Sequence, residues 1–287
     1  LKTEAPTLLV AGCGYIGEAL ASAWHARGNP VVAITKSEDS ASELNARHPF
    51  PVVAADLTDP ESLAAIGVQP HHVVHCASSG RGGPDVYRGV FVEGIQHLTD
   101  LYPSARIFLT SSTSVYPQTE GETVTETSAT DPDRKTGQYL REAEDTLLKA
   151  NGTVLRIAGI YGPDRSVHVK RFREGTAKIE SGEVSRFLNQ VHRDDVVSAI
   201  LHLIKSGLGA GEIYNLSDGN AISLRDCYER LAEIAGQPRP DEEPPDFDRK
   251  RAWTDKAVSN EKLRATGWEP EFPHFVEAVR PWLATAT

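Results

Sequence analysis

With 287 residues, 39% of them hydrophobic, the chain can bury a full core without disulfide or metal staples. A formal charge of −10 excludes the broad basic face by which proteins grip nucleic acid phosphates. The three cysteines, Cys13, Cys76 and Cys227, are odd in number and outside CxxC spacing, which sets aside a disulfide framework or zinc ribbon and fits a reducing, cytoplasmic setting.

The opening LKTEAPTLLVAG passes through charged and turn residues straight into a strand, so no secretory signal is expected. No apolar run approaches the roughly 18 residues that a membrane span requires. From Thr7 to Gly162, apolar β-branched runs alternate with helical patterns: TLLVAG, a helix from Ile16 to Arg27, PVVAIT, PFPVVAAD, HHVVHCAS, ARIFLTSS and TVLRIAGIYG. Near-continuous apolar runs at this separation predict buried parallel strands joined by crossover helices, an α/β Rossmann-type doubly wound parallel sheet. The acidic stretch TEGETVTETSATDPD reads as a solvated connector. Beyond Pro163 the rhythm weakens into a basic stretch (HVKRFREG), a helix after HRDD, a short strand in GEIYNL, a helix from Leu224 to Ala235 and a Pro- and Asp-rich loop. The expected organisation is an NAD(P)-binding domain over residues 1–163, to which a segment at about 188–216 returns, and a smaller C-terminal substrate lobe over residues 164–287.

Within the first turn, GCGYIG places Gly12, Gly14 and Gly17 in G-x-G-x-x-G spacing after a strand and before a helix. The first glycine permits the tight turn, the second lets the backbone approach a pyrophosphate, and the third lets helix and strand pack closely, with the helix N-terminus facing the anion. An NAD site carries an acidic residue about 20 positions on, to bond the ribose 2′-hydroxyl. Here Thr35 is followed by Lys36, a cation able to neutralise a 2′-phosphate, so NADP is expected in preference to NAD; the plainer reading is a solvated surface lysine. Asp56, ending the third strand, either accepts from the adenine amino group or caps a turn.

Taken with HCAS after the fourth strand, LTSSTSVY after the fifth, LRIAGIYGP after the sixth, VHRDD further on, NLSDG (Asn215 to Gly219) and the closing VSNEKLRATGWEP, the glycine turn resembles the extended short-chain dehydrogenase/reductase family over nearly the whole chain. These are epimerase- and dehydratase-like proteins. The resemblance implies that a serine or threonine after the fifth strand orients the substrate, that a tyrosine phenolate exchanges a proton with a hydroxyl, and that a lysine four residues later assists and holds the nicotinamide ribose. A tyrosine of unperturbed pKa near 10 needs such a fixed positive charge to favour its ionised form.

Ser112 matches the serine, with Ser111 and Ser114 beside it. Aligning the family's helix onto LREAE, however, puts Thr136 at the tyrosine position and Leu140 at the lysine position, so the proton-transfer pair is absent. Tyr139 lies roughly 4.5 Å along the axis from Thr136 and has Ala143 four residues on, while Arg141 projects to another side. It reads either as a packing tyrosine or as a displaced proton donor. A glycine turn with TSSTSVY and a helix lacking both residues resembles the atypical, YeeZ-like bacterial subgroup.

Other candidates are Tyr116, Tyr161, His192 and Arg81. Histidine alone titrates near neutrality unaided, but VHRDD in the family sets up the following helix, where Asp194 or Asp195 is an N-cap or a ligand contact. Family members that bind nucleotide-sugars carry a diphosphate-clamping arginine just before this histidine. Leu188 occupies that place, with Arg186 offset and Lys170, Arg171 and Arg173 as alternative anion contacts. In HHVVHC neither strand face gathers three ligands, so no metal site is expected.

The expectation is therefore an NAD(P)-binding, epimerase/dehydratase-like oxidoreductase acting on a small molecule, a sugar nucleotide or a related hydroxyl or carbonyl compound. Ser112, Tyr139 and His192 are its catalytic candidates. Residues expected to face the cofactor are Gly12, Gly14, Tyr15, Ile16 and Gly17 in the turn, then Thr35, Lys36, Asp56, Leu57, Ala77, Ser78, Ser111 and Tyr161 at successive strand ends. The rival expectation is a non-catalytic NADP-binding sensor or regulatory protein. Neither reading involves nucleic acid or a membrane, and both are compatible with a homodimer.

Overall fold

The structure, a computed structural model, describes residues 5–80, 82–182, 185–247 and 253–284, and Arg81 lies outside them. In chain order the elements are β1 (Leu8–Ala11), α1 (Tyr15–His25), β2 (Val31–Thr35), α2 (Glu38–Arg47), β3 (Val52–Ala54), α3 (Pro60–Ala64), β4 (His72–His75), α4 (Pro84–Arg88), a π-helical turn (Gly89–Glu93), α5 (Gly94–Leu101) and β5 (Arg106–Ser112). After a 3₁₀ turn (Thr113–Val115) follow β6 (Glu122–Val124), α6 (Lys135–Lys149), β7 (Thr153–Ile157), β8 (Gly159–Tyr161), α7 (Val167–Arg173), β9 (Ile179–Glu180), β10 (Phe187–Leu188) and β11 (Gln190–His192). The chain continues through α8 (Arg193–Ser206), β12 (Ile213–Leu216), β13 (Ile222–Ser223), α9 (Leu224–Ala235), β14 (Glu242–Glu243), β15 (Lys256–Val258), α10 (Glu261–Arg264) and α11 (Phe275–Ala284).

Seven strands form the main sheet in the order β12-β7-β5-β4-β1-β2-β3. Strands β1 to β5 pair in parallel, with Leu8 opposite both Val31 and His72. For β7 and β12, Val154 N donates to Glu212 O and Ala158 N to Leu216 O; a step of four residues in the same sense on both strands makes this pair parallel too. The order is that of a doubly wound Rossmann sheet, and its direction of build reverses between β1 and β4, where the carboxyl ends of the strands open a crevice. Helix α1 covers the sheet because Ile16, Leu20 and Trp24, spaced four apart, form one buried stripe with Gly17 and Ala21.

By contact the chain forms two compact units, one of Leu1–Val115, Thr130–Arg156 and Val196–Tyr214, the other of Tyr116–Ala129, Ile157–Asp195 and Asn215–Thr287. The second has its own core, in which Tyr161, Phe172 and Ile179 pack with Leu224, Tyr228, Leu231, Phe275 and Val279. Helix α9 spans Leu224–Ala235, capped by Ser223, whose hydroxyl accepts from Asp226 N, and ended by Gly236 at φ +62°.

Two stretches differ from the sequence expectation. The run TVLRIAGIYG is two strands: after Ala158 the chain leaves β12, and β8 pairs with β11, Tyr161 opposite His192. A Cβ at Gly159 would lie 2.6 Å from the flexible end of Gln190 and 3.0 Å from Asn189 O, so the backbones approach closely here. The acidic connector contains β6, which pairs in parallel with β15, Glu122 opposite Lys256, so part of it is sheet rather than solvated loop.

In the first unit, the buried stripe of α6 is Gly137, Leu140, Ala143, Glu144 and Leu147, a helical face interrupted by one carboxylate. The carboxylate meets Arg156, which is 1% exposed in the all-buried strand β7. Arg156 Nη2 donates to Glu144 Oε2 at 2.7 Å and its Nε to Oε1 at 3.2 Å. Removing one partner of such a pair strands the other's charge in the core. In urea unfolding followed by circular dichroism, Glu144→Ala should therefore cost about 3–5 kcal/mol, while Glu144→Leu combined with Arg156→Met should recover most of it. A loss under about 1 kcal/mol for Glu144→Ala would show that the arginine does not depend on this partner.

Candidate functional site

The turn between β1 and α1 is made by backbone proximity. Gly12 has φ +109°, and a Cβ on it would lie 2.4 Å from Ala77 N at the end of β4. One on Gly17 would lie 2.0 Å from Gly12 O. Gly14, by contrast, faces open space, with nothing within 4 Å of a Cβ, and as the N-cap of α1 it leaves the helix start without a side-chain cap. The first and third glycines thus close the turn against strand and helix, and the second keeps the approach to the helix N-terminus clear. Gly12 N and Cys13 N both donate to Ile34 O, which fixes the turn to β2. Ile16 is buried, so its side chain belongs to the core and only its backbone lies toward the crevice. Burial pushes the Cys13 thiol up to about 11, keeping it a thiol at neutral pH.

Around this turn the structure gathers the strand ends expected to face a dinucleotide. Lys36 follows β2, and its Nζ lies 3.0 Å from Asp56 Oδ2 after β3. The other Asp56 oxygen accepts from Thr58 N at 3.0 Å and Thr58 Oγ1 at 2.9 Å, so this carboxylate both caps a turn and neutralises the lysine. Burial acts to raise its pKa, but the Thr58 and Lys36 hydrogen bonds carry it below the ordinary carboxylate value. Sequence spacing alone had left no carboxylate beside Lys36; the third strand supplies one. Ser78 is exposed, Thr35 and Ala77 are half-buried, and Leu57 is buried with its carbonyl accepting from His97 Nδ1.

The serine turn at the end of β5 lies against α6, since a Cβ on Gly137 would come 3.9 Å from Ser114 O. Ser112 is half-buried, and its Oγ accepts from Ser114 N at 3.1 Å, which leaves its own proton to donate. Ser111, also expected to face the cofactor, is 5% exposed and donates to Glu144 Oε1 at 2.5 Å. Arg141 completes the cluster, bridging Glu144 and Asp145. Leu140, where the resemblance puts the lysine, is 1% exposed in the core. Tyr139 is half-buried, and its hydroxyl makes no hydrogen bond among the described residues.

In the second unit the polar candidates are internal. His192 is 4% exposed, its ring tilted against Phe272 at 3.9 Å, and its Nδ1 accepts from Asp194 N. Burial lowers its pKa, so the ring is neutral at neutral pH. Tyr116 is fully buried and donates to Asn215 Oδ1 at 2.8 Å, while Lys256 Nζ donates to its carbonyl. Tyr161 is equally buried, edge-on to His192 and Phe275, which closes its side chain to a ligand. Asp194 and Asp195 lie inside the first turn of α8, past the N-cap position. Asp195, 1% exposed, accepts from Glu271 N and Phe272 N and so pins the C-terminal segment, and Asp194 accepts from Arg193. Arg186 is neutralised by Glu180 at 2.8 Å, and Lys170 is exposed beside Glu174. Among the described residues no three His, Cys, Asp or Glu side chains converge as a metal site, and no helix is long and apolar enough to cross a membrane.

A glycine turn at the switch point of a doubly wound sheet, with a serine turn beside it, defines an NAD(P)-binding protein of the short-chain dehydrogenase type. The chain belongs to the NAD dependent epimerase/dehydratase family, whose profile it matches over residues 8–217. It is 31% identical to Protein YeeZ of Escherichia coli K12 over 252 residues, 83% of this chain and 85% of that protein. Over 247 residues it is 27% identical to a 4-hydroxy-2-methyl-3-oxo-4-farnesyl-3,4-dihydroquinoline-1-oxide ketoreductase of Stigmatella aurantiaca, covering 80% and 73% of the two chains. Among solved structures, UDP-glucose 4-epimerase of Thermotoga maritima with UDP-glucose superposes at a TM-score of 0.80 and 20% identity, over 97% of this chain and 98% of its own.

Three residues in these clusters went unnoticed in the sequence. Glu144 and Arg156 each interrupt an apolar pattern, one on a helical stripe and one within a strand run, and a charge on each of two buried faces is the signal that would have paired them. Asp218, in NLSDG, is 3% exposed, and its Oδ2 has no hydrogen-bond partner among the described residues. Burial, with the nearby Asp195 charge, pushes its pKa up to about 7. Between the ordinary carboxylate pKa and 7 the folded chain holds a proton that the unfolded chain has lost, so this group's contribution to stability falls as pH rises through that window and stays low above it. Asp218→Asn should therefore stabilise the protein at pH 8, by on the order of 2–4 kcal/mol, and the gain should shrink toward pH 4. Denaturant titrations at both pH values check this; an equal gain at each would remove the titration argument. Leu140→Lys, which would place an ammonium in the core, should lower the melting temperature by several degrees.

Proposed function

We propose that this chain is an NAD(P)-dependent oxidoreductase that reduces or epimerises a small hydroxyl or carbonyl compound, with NADP preferred over NAD. The observation that carries the reading is the turn at Gly12–Gly17: two glycines closed against backbone, one open to the crevice, and a helix start with no side-chain cap, which suits a pyrophosphate. Lys36 would meet a 2′-phosphate, exchanging its contact with Asp56 for one with a doubly charged anion. A bound nicotinamide supplies hydride chemistry; the protein's task is to orient the substrate and handle the proton.

Ser112 donates to the substrate oxygen, because Ser114 N already occupies one of its lone pairs. Of the proton donors considered, Tyr139 is favoured. Its hydroxyl has no partner among the described residues, whereas the neutral ring of His192 is buried and its Nδ1 taken. Leu188 at the clamp position and the pairing of Arg186 with Glu180 leave neither position offering a free cation for a diphosphate. That favours a ketone or simple alcohol over a sugar nucleotide, in line with the ketoreductase activity named for the Stigmatella relative. The burial of Leu140 favours a second reading, an NADP-binding sensor without turnover.

Titration calorimetry with NADP and NAD tests the first part. NADP should bind more tightly, and Lys36→Asp should weaken NADP by on the order of tenfold or more while affecting NAD less. An unchanged preference would overturn the role of Lys36, and no heat with either coenzyme would overturn the proposal. Nicotinamide fluorescence across a panel of ketones, alcohols and nucleotide-sugars separates the enzyme from the sensor: tight binding without any redox change supports the sensor.

A further inference from the structure

We infer that Ser111 is a positioning residue for Ser112, and that the buried Glu144–Arg156 pair is the fixed point against which the serine turn is aimed. The inference rests on the reading of Ser112 as the group that orients the substrate. Successive residues of a strand project to opposite faces, so anchoring the hydroxyl of Ser111 sets the rotation of the strand end and with it the direction of Ser112. The anchor is strong. Ser111 Oγ donates to Glu144 Oε1 at 2.5 Å, and the same carboxylate is gripped by Arg156 and Arg141 from two further sides. Ser111 and Glu144 are 5% and 0% exposed, so water does not compete for the bond, and a charge-assisted hydrogen bond in such surroundings is worth more than a neutral one.

On the strand's other face the hold is weaker. Ser112 Oγ is tied only locally, by Ser114 N at 3.1 Å, and Thr110 Oγ1 donates to His75 O at 2.9 Å across the neighbouring strand. Beyond the packing of Gly137 near Ser114, the side-chain hydrogen bond that ties α6 to the strand end is therefore that of Ser111. Besides Tyr139, the proton donor favoured above, this helix contributes a buried carboxylate that holds the serine in place.

The test is Ser111→Ala, with Ser111→Thr as the rescue. With NADP present, hydrogen exchange at the amides of residues 112–115 should quicken on the order of tenfold in Ser111→Ala, while exchange in α9 and α11 stays as in the parent. For any ketone reduced in the proposed reaction, kcat should fall on the order of tenfold with KM little changed, and Ser111→Thr should restore both readouts. Parent-like exchange at 112–115, or a loss confined to KM, would overturn the inference. If the parent protein reduces no compound, the proposed reaction fails while the exchange measurement still decides this point. Should Ser111→Ala not fold, Ser111→Cys, with a weaker donor, is expected to give the same local quickening, and its absence would count against the anchor.

Discussion

A carboxylate wholly removed from water is tolerable only where its charge and lone pairs are met, and in the first unit of this protein that condition ties three elements together. Glu144 on α6 faces Arg156 on β7 and Ser111 on β5, with Arg141 at the rim. Leaving any of the three elements would expose a charge to an apolar interior, so helix and strands are held in one register. Leu140 and Ala143 share the buried face of the helix with Glu144, so an apolar stripe surrounds the carboxylate.

The cofactor cradle depends on a different constraint, the absence of side chains. Gly12 and Gly17 sit where a Cβ would meet backbone atoms at 2.4 and 2.0 Å, distances no relaxation of a side chain could relieve. Lys36 and Asp56, by contrast, form a pair at the surface, whose interaction is weak and salt-sensitive in water. The turn is thus rigid, and the charge pair beside it is easily altered.

In the second unit, residue types associated with catalysis serve the architecture. His192 packs against Phe272, Tyr116 bonds to Asn215, and Asp195 satisfies two backbone amides of the C-terminal segment. Each polar group is buried, and a buried polar group must find a partner or cost free energy, so the motif VHRDD carries structural duties in this chain. Lys256, buried with its ammonium on the Tyr116 carbonyl, has its pKa brought down to about 8 by the same desolvation.

Periodicity and punctuation alone determined the doubly wound sheet, the glycine turn and the helix at Leu224–Ala235, because each of these is written in local spacing: apolar runs, G-x-G-x-x-G and a helical stripe; the serine after the fifth strand came from the resemblance to the family. Local spacing failed where a residue's partner lies far along the chain. The acidic segment around Glu122 becomes a strand only because Lys256–Val258 pairs with it, and TVLRIAGIYG divides after Ala158 because its second half pairs with Gln190–His192. Asp56 reaches Lys36, and Glu144 reaches Ser111, across separations that no pattern in the sequence encodes, while Glu144 and Arg156 each stand out as a charge on an apolar face that only packing brings together. Which carboxylates are paired, which tyrosines are enclosed and which serine is anchored was decided by tertiary packing, since desolvation and charge pairing act through space and not along the chain.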